Sequence, residues 1–178
     1  MTMKSAAFTV SALCLAACLT ACTSVGQVPT AKLATGTLYS ANGAPAGTVG
    51  VFAAGEEVTI NVTAIGLPKG AHGVHLHAAG ACAAPSFASA GAHLNPRGMQ
   101  HGSANPAGSH LGDLPNLPVD AYGAGTVTAR LNGTRAEVVA ALFDADGTAL
   151  VLHADRDDYL TDPSGNSGTR IACAVLNR

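Results

Sequence analysis

The chain has 178 residues with nine basic and eleven acidic side chains, which gives a net charge of −2 when the histidines are neutral. This length leaves about one ordinary domain once an N-terminal export segment is set aside. Because the charge is nearly balanced, nothing in the composition indicates nucleic-acid binding.

Residues 1–21 have the pattern of a segment that is removed after export. One basic residue precedes an Ala-rich apolar run, Ala6 to Ala21, that is too short to predict a membrane span. The run ends in Leu19-Thr20-Ala21-Cys22, which resembles the bacterial lipobox, so we predict that Cys22 becomes a lipidated N-terminus. Lipidation of Cys18, which follows a similar Leu-Ala-Ala motif, and a plain secretory signal are the alternatives.

Residues 22–30 are small and polar after the cysteine and are typical of a tether, so the domain is predicted over residues 31–178. We expect it in the periplasm, anchored by its lipid to the cell envelope and more specifically to the outer membrane. Once Cys22 is acylated, the remaining thiols of the exported chain are Cys82 and Cys173. In an oxidising compartment these two most simply form a disulfide.

Short segments rich in β-branched residues follow one another between Gly, Pro and Asn residues, and no segment shows ten or more residues of helical periodicity. This pattern predicts an all-β sandwich or barrel. Hairpin turns are predicted at Asn42-Gly43, Gly55-Glu56, Asn132-Gly133 and Asp146-Gly147. The eight predicted strands are Ala34–Tyr39, Thr48–Ala53, Glu57–Ala64, Gly73–His77, Gly125–Leu131, Ala136–Phe143, Thr148–Leu152 and Ile171–Leu176.

Two long segments, Ala78–Tyr122 and Ala154–Thr169, do not fit the strand pattern and are rich in Gly, Pro and Asp. Loops of this length in a small domain are usually functional. All seven histidines lie between His72 and His153, and six of them flank or occupy these loops. The clustering therefore predicts the functional site.

His75 and His77 are two residues apart on a predicted strand, so both side chains project from one face while Val74 and Leu76 point into the core. A single His-x-His pair is a weak signal. Imidazole groups suit copper and zinc, and three imidazoles with one carboxylate suit a tetrahedral zinc site. The following loop supplies such a set, namely His93, His101, His110 and Asp113.

Together these segments resemble the Cu/Zn superoxide dismutase family, and in particular its exported bacterial members. The resemblance covers residues 31–178 and includes the spacing of seven, eight and two residues between His93, His101, His110 and Asp113. The matching segments are His72-Gly-Val-His-Leu-His77, Gly91-Ala-His-Leu-Asn-Pro96, His101-Gly102, His110-Leu-Gly-Asp-Leu-Pro115, Val151-Leu-His153 and Gly168-Thr-Arg-Ile-Ala-Cys173.

The resemblance implies an eight-stranded Greek-key barrel that converts superoxide to dioxygen and hydrogen peroxide with one copper and one zinc per subunit, as a monomer or homodimer. His93 would bridge the two metals as an imidazolate. The implied copper ligands are His75, His77, His93 and His153, and the implied zinc ligands are His93, His101, His110 and Asp113.

The resemblance also implies roles for Asp157 and Arg170. Asp157 would link one copper histidine to one zinc histidine and so fix their tautomers. Arg170 would attract the substrate anion beside the copper position, which suits its permanent charge. His72 is interpreted as a structural histidine, and three other acidic residues are interpreted as solvated or turn residues: Asp155, Asp158 and Asp162.

Two other functions are alternatives to an enzyme. A copper-binding lipoprotein that buffers or delivers the metal would tolerate loss of Arg170 or of the bridging His93. A structural β-sandwich would need neither that bridge nor a zinc loop. The presence of every expected ligand together with Arg170 favours the enzyme.

Overall fold

Nine antiparallel strands form one curled sheet in the computed structural model, which describes residues 2 and 30–178. The strand order is β4-β6-β7-β3-β2-β1-β9-β8-β5. The edge strands β4 and β5 are separated along the chain by Gly73 alone, so the sheet nearly closes into a barrel. The strands are β1 (Thr30–Ser40), β2 (Pro45–Ala54), β3 (Glu57–Ala64), β4 (Gly70–His72), β5 (Val74–His77), β6 (Leu117–Val119), β7 (Gly125–Arg130), β8 (Ala149–His153) and β9 (Arg170–Val175).

The period-two pattern of the sequence places one face of each long strand in the core. In β3, Val58, Ile60, Val62 and Ala64 are buried, whereas the residues between them are partly exposed. Turns at residues 41–43 and 55–56 join β1 to β2 and β2 to β3, as predicted. The predicted all-β class is confirmed.

The predicted strand Ala136–Phe143 is wrong, because the segment forms helix α1 (Arg135–Leu142). Thr134 caps the helix: its hydroxyl accepts from the backbone N–H of Glu137, and the Glu137 carboxylate accepts from the N–H of Thr134. Val138 and Leu142, one turn apart, are buried. The paired valines suggested a strand, but the capping residues and the alanines determine the helix.

Strands β4 and β6 were not predicted. Strand β6 and a short 3₁₀ helix, Ala88–Ala90, lie within the segment that was expected to be a loop from Ala78 to Tyr122. Each of these elements has only three residues. Such lengths are too short to show a hydrophobic period.

The disulfide predicted between Cys82 and Cys173 is present, with an S–S distance of 2.00 Å. It fastens the first long loop to β9. Phe87, which is buried, packs beside the disulfide against residues of β8 and β9. The loop that follows β5 is therefore held firmly onto the barrel.

The predicted signal segment, Cys22 and nearly all of the predicted tether lie outside the described residues. Strand β1 begins at Thr30, the last residue assigned to the tether. Within the described part of the chain, no helix has the length and apolar character required to cross a membrane.

Candidate metal centre

Strand β5 presents two buried histidines to the long loops. Val74 and Leu76 belong to the main core, while His75 and His77 face the other way and are also fully buried. Residues of the first loop pair with the free edge of the strand, where His75 lies opposite Asp113 and His77 opposite His93. The strand alternation thus brings the first two histidines to the loop residues.

Four imidazoles converge at one point beside β5. One nitrogen from each lies within 4.8 Å of the others, and the residues are His75, His77, His93 and His153. The inward-facing atoms are buried and have no hydrogen-bond partner: Nδ1 of His75 and Nε2 of His77, His93 and His153. Buried polar atoms are almost always paired. Four unpaired nitrogens that face one another fit a bound metal ion, and neutral imidazoles suit copper.

The opposite nitrogens of these rings are held by hydrogen bonds. Nδ1 of His77 lies 2.9 Å from the carbonyl oxygen of Gly91, and Nδ1 of His153 lies 3.2 Å from that of Gly168. Nε2 of His75 lies 2.8 Å from a carboxylate oxygen of Asp157. Because each acceptor binds an N–H, the inward nitrogen of each ring carries a lone pair.

A second cluster surrounds the carboxylate of Asp113. Its Oδ1 atom lies 3.1, 3.0 and 3.1 Å from Nδ1 of His93, His101 and His110 respectively. The other oxygen, Oδ2, accepts hydrogen bonds from the backbone N–H groups of Gly102 and His110. Three imidazoles and one carboxylate form the donor set of a closed zinc site.

Ligand atoms of His75, His93, His101 and Asp113 also lie within 4.8 Å of one another, so proximity alone would place His75 rather than His110 in the second cluster. The hydrogen-bond pattern argues for His110. Nε2 of His75 is bonded to Asp157 and its Nδ1 faces the first cluster, whereas Nδ1 of His110 lies 3.4 Å from Nδ1 of His93.

His93 belongs to both clusters. Its Nδ1 is near Asp113 and its Nε2 faces the first cluster. Asp157, which is fully buried, joins the clusters a second time, because its two oxygens lie 2.8 Å from Nε2 of His75 and 2.9 Å from Nε2 of His101. A ring and a carboxylate thus connect the same two groups of ligands.

Burial keeps most of these rings neutral. It lowers the pKa of His77 and His153 to about 3 and that of His93 to about 4, and it also lowers the pKa of His75. His101 behaves differently, because burial lowers its pKa but hydrogen bonds to Asp113 and Asp157 outweigh this and raise it to about 9. The first cluster can therefore receive a cation without first losing protons at neutral pH.

The two carboxylates remain ionised. Burial would raise the pKa of Asp113 and Asp157, but hydrogen bonds from His101 and neighbouring donors hold both values well below the usual range. Asp113 thus brings a negative charge to a pair of cation sites. That charge favours zinc binding.

Arg170 is connected to the first cluster through the carbonyl oxygen of Gly91, which is also the partner of His77. Its Nη1 donates to the carbonyl oxygen of Phe87 and its Nη2 to that of Gly91, each at 2.7 Å. The partly buried guanidinium also borders an open groove with Pro85, Ser86 and Thr169. The groove leaves one side of this fixed positive charge open to solvent.

Three further polar side chains near the site are not members of either cluster. Both nitrogens of His72 lie within 2.9 Å of backbone oxygens, those of Pro68 and His153, so this ring is outside the clusters. Asp158 is exposed and accepts hydrogen bonds from the turn that follows it. Asp162 is exposed as well, but its carboxylate accepts the backbone N–H of His101 at 2.7 Å and so supports the second cluster.

Sequence reasoning did not identify the residues that support the site, among them Phe87, Gly91 and Asn116. The first two act through backbone carbonyls, which carry no side-chain signal. Asn116 binds the backbone of Asp157. Its position three residues after Asp113 was the one available clue.

Comparison with known proteins agrees with this geometry. A profile of the copper/zinc superoxide dismutase (SODC) family matches residues 45–176. The superoxide dismutase-like protein YojM of Bacillus subtilis is 44% identical over 124 residues, which cover 68% of this chain but only 63% of that protein. A Cu-Zn superoxide dismutase of Caulobacter vibrioides is 39% identical over 149 residues, which cover 80% of this chain and 84% of that protein.

Solved structures agree as well. The crystal structure of a SOD-like protein from Bacillus subtilis matches with a TM-score of 0.74 and 37% identity, covering 83% of this chain and 100% of that one. The segment matched by the family profile contains both clusters, Arg170 and the disulfide. The chain belongs to the copper/zinc superoxide dismutase family.

Proposed function

We propose that this protein converts two superoxide anions and two protons into dioxygen and hydrogen peroxide. The observation that carries the proposal is the position of His93, which faces a four-imidazole cluster with one nitrogen and a carboxylate cluster with the other, while Arg170 lies alongside. The proposed copper ligands are His75, His77, His93 and His153, and the proposed zinc ligands are His93, His101, His110 and Asp113.

The donor sets fit these two metals. The first cluster offers nitrogen alone, and the second adds the carboxylate that a structural zinc site accepts. Bound copper supplies a reversible one-electron change, so that one superoxide is oxidised and the next is reduced. The chain itself binds the anion and delivers one of the two protons, and the second proton comes from solvent.

Arg170 binds and orients the anion. Its guanidinium is permanently charged, and two backbone carbonyls fix its direction at the edge of the groove. The same charge stabilises the negative charge that develops on the product. A metal buffer would have no use for a cation held in this way, which favours the enzyme over a copper-binding carrier.

His93 supplies one proton. While its Nδ1 stays at the Asp113 cluster, its Nε2 can take up a proton and then donate it to the peroxide product. With Nδ1 held at the second cluster, a ring that gains a proton at Nε2 is a neutral imidazole, which can donate that proton to the product. The second cluster thus keeps the imidazole in place through the proton transfer.

We further propose that the enzyme works in the periplasm, held by a lipid on Cys22 to the outer membrane. The lipobox at residues 19–22 and the polar segment after it support this location. Mass spectrometry of the mature protein should find the acyl chains on an N-terminal Cys22. An unmodified N-terminus, or lipid on Cys18, would contradict the assignment.

The decisive experiment measures metal content and dismutase activity on one preparation of the mature protein. We expect one copper and one zinc per chain, and activity that disappears with a chelator and returns with copper. The matched control is His153→Ala, which removes one copper ligand outside the second cluster. Full occupancy by both metals without activity would favour the metal-carrier alternative.

A further inference from the structure

Asn116 fastens the first long loop to the backbone of Asp157. Its side-chain oxygen accepts the N–H of Asp157 at 2.8 Å, and its Nδ2 donates to the carbonyl oxygen of Asp157 at 2.9 Å. Both polar groups of one amide thus bind the two backbone groups of a single residue 41 positions away. Such a pair restricts both translation and rotation of that backbone.

Tyr159 completes this connection. Its hydroxyl accepts the backbone N–H of Asn116 at 2.7 Å, its own N–H donates to Oδ1 of Asp157 at 2.7 Å, and its carbonyl accepts the N–H of Ala104 at 2.8 Å. The residue has φ of 63°, in the left-handed region that side chains other than glycine rarely adopt. Such a conformation persists where surrounding contacts over-determine it.

The orientation of Asp157 matters because its two oxygens serve different clusters. One lies 2.8 Å from Nε2 of His75 on β5, and the other lies 2.9 Å from Nε2 of His101 in the first loop. The carboxylate is fully buried, so water cannot replace either bond. A small rotation of the backbone at this residue would lengthen one of them.

We infer that Asn116 is a positioning residue for both metal clusters, acting through Asp157 with the help of Tyr159. The inference rests on the proposed assignment of His101 to zinc and of His75 to copper. Partners of metal-bound histidines typically change metal affinity about 10- to 100-fold when they are removed. Asn116 acts one step further out, so its loss should weaken zinc binding by about 10-fold.

Asn105 offers a matched control. It also joins the two long loops, because its Nδ2 lies 3.2 Å from the carbonyl oxygen of Leu160 and 3.1 Å from Oε1 of Gln100. No hydrogen bond links it to Asp157. If connecting the loops were all that mattered, Asn105→Ala and Asn116→Ala would have similar effects on zinc affinity.

The test measures zinc affinity of the mature protein by competition with a chelator, for Asn116→Ala and Asn105→Ala, each with and without Asp157→Ala. We expect Asn116→Ala to weaken zinc binding only when the Asp157 carboxylate is present, and Asn105→Ala to leave zinc binding unchanged. Unfolding midpoints should fall for Asn116→Ala in both backgrounds, since its bonds go to the backbone. Equal loss of zinc affinity in both backgrounds would overturn the inference.

A second variant and a second measurement cover the case in which Asn116→Ala does not fold. Tyr159→Phe removes only the hydroxyl that accepts from Asn116, and it should give a smaller loss of zinc affinity in the same direction. In metal-free protein, NMR should show faster solvent exchange of the Nε2 protons of His75 and His101 in either variant. Unchanged exchange and unchanged zinc affinity in Tyr159→Phe would also overturn the inference.

These measurements also distinguish failure of the positioning role from failure of the proposed dismutase function. If the unmodified protein lacked dismutase activity but the Asn116 effect still depended on Asp157, the positioning role would stand. If the protein were active but zinc binding did not respond to Asn116, the positioning role alone would be wrong.

Discussion

Arg170 and His77 donate hydrogen bonds to the same atom, the carbonyl oxygen of Gly91. Nη2 of Arg170 lies 2.7 Å from that oxygen and Nδ1 of His77 lies 2.9 Å from it. The proposed anion-binding cation and one proposed copper ligand are therefore fixed relative to each other by one backbone group. The acceptor for Nη1, the carbonyl of Phe87, belongs to a residue that packs beside the disulfide.

This arrangement predicts that Arg170→Ala retains both metals but loses activity by about 10- to 100-fold, because fixed charges at an anion site act on association and turnover. None of the proposed ligands is bonded to the guanidinium itself. Metal content and activity should be measured together. Arg156→Ala, which removes an exposed arginine of the second loop, should remain near full activity. Loss of copper in proportion to activity would contradict the division of roles.

The β-strands were predictable where burial alternates over several residues, as in β2 and β3. The segment of helix α1 was wrongly predicted as a strand for a local reason. Two adjacent valines fit a strand, but the capping pair of Thr134 and Glu137 stabilises a helix. Strands of three residues, such as β4 and β6, hold too few side chains to show a period. Their formation depends on neighbours that are distant in the sequence.

The disulfide closes a loop of 91 residues and should contribute about 2–4 kcal/mol to the free energy of unfolding. We expect the double variant Cys82→Ser, Cys173→Ser to lose stability of that size in urea unfolding. Its activity should fall as well, since the loop that carries the acceptors of Arg170 is released. Purification without reductant should yield no titratable thiol from the pair in the unmodified protein. Two free thiols, or an unchanged unfolding midpoint, would contradict this prediction.

The proposed metal ligands could be named from the sequence because their types and spacing are specific, but their supports could not. Gly91, Phe87 and Gly168 accept hydrogen bonds through carbonyl oxygens, which every residue possesses. Asn116 acts on Asp157, which lies in the other long loop and 41 positions away. The types and spacing of residues indicate which ligands a segment can bind, whereas the orientation of each side chain depends on how the loops fold.

The metal-free protein should lose stability as the pH falls from 6.5 to 4. Burial lowers the pKa of His77 and His153 to about 3 and that of His93 to about 4, below the ordinary value of 6.5. Unfolding therefore takes up protons below pH 6.5. The stability that depends on these neutral rings is fully present above pH 6.5, and it is lost progressively as the pH falls toward 4 for His93 and toward 3 for His77 and His153. His101 has the opposite shift, to about 9, so its contribution is constant below pH 6.5 and is lost as the pH rises through 9.

Urea unfolding of metal-free protein at pH 7, 5.5 and 4 would measure this dependence, with midpoints that decrease in that order. The metal-loaded protein serves as the control. Its unfolding midpoint should change less between pH 7 and 5.5, because a coordinated nitrogen cannot take up a proton until the metal leaves. Constant midpoints in the metal-free protein would show that these rings are not held neutral.

The last prediction concerns His93, the one imidazole whose two nitrogens face different clusters. Nδ1 lies 3.1 Å from Oδ1 of Asp113, and Nε2 is buried without a hydrogen-bond partner among the other three rings. To bind two cations the neutral ring must also lose its one remaining N–H proton, which adjacent divalent cations make possible by stabilising the anion. We expect Co(II) in place of zinc to couple magnetically to Cu(II) in the unmodified protein.

His93→Ala should abolish that coupling while both sites still bind their metals weakly, because three ligands remain in each. The control is His110→Ala, which also removes a proposed zinc ligand but leaves His93 in place, so the cobalt that binds should still couple to copper. The coupling is measured from spectra of the unmodified protein, His93→Ala and His110→Ala, each with cobalt and copper bound. Uncoupled copper in the unmodified protein would indicate two independent sites, and the metal-carrier alternative would then be favoured.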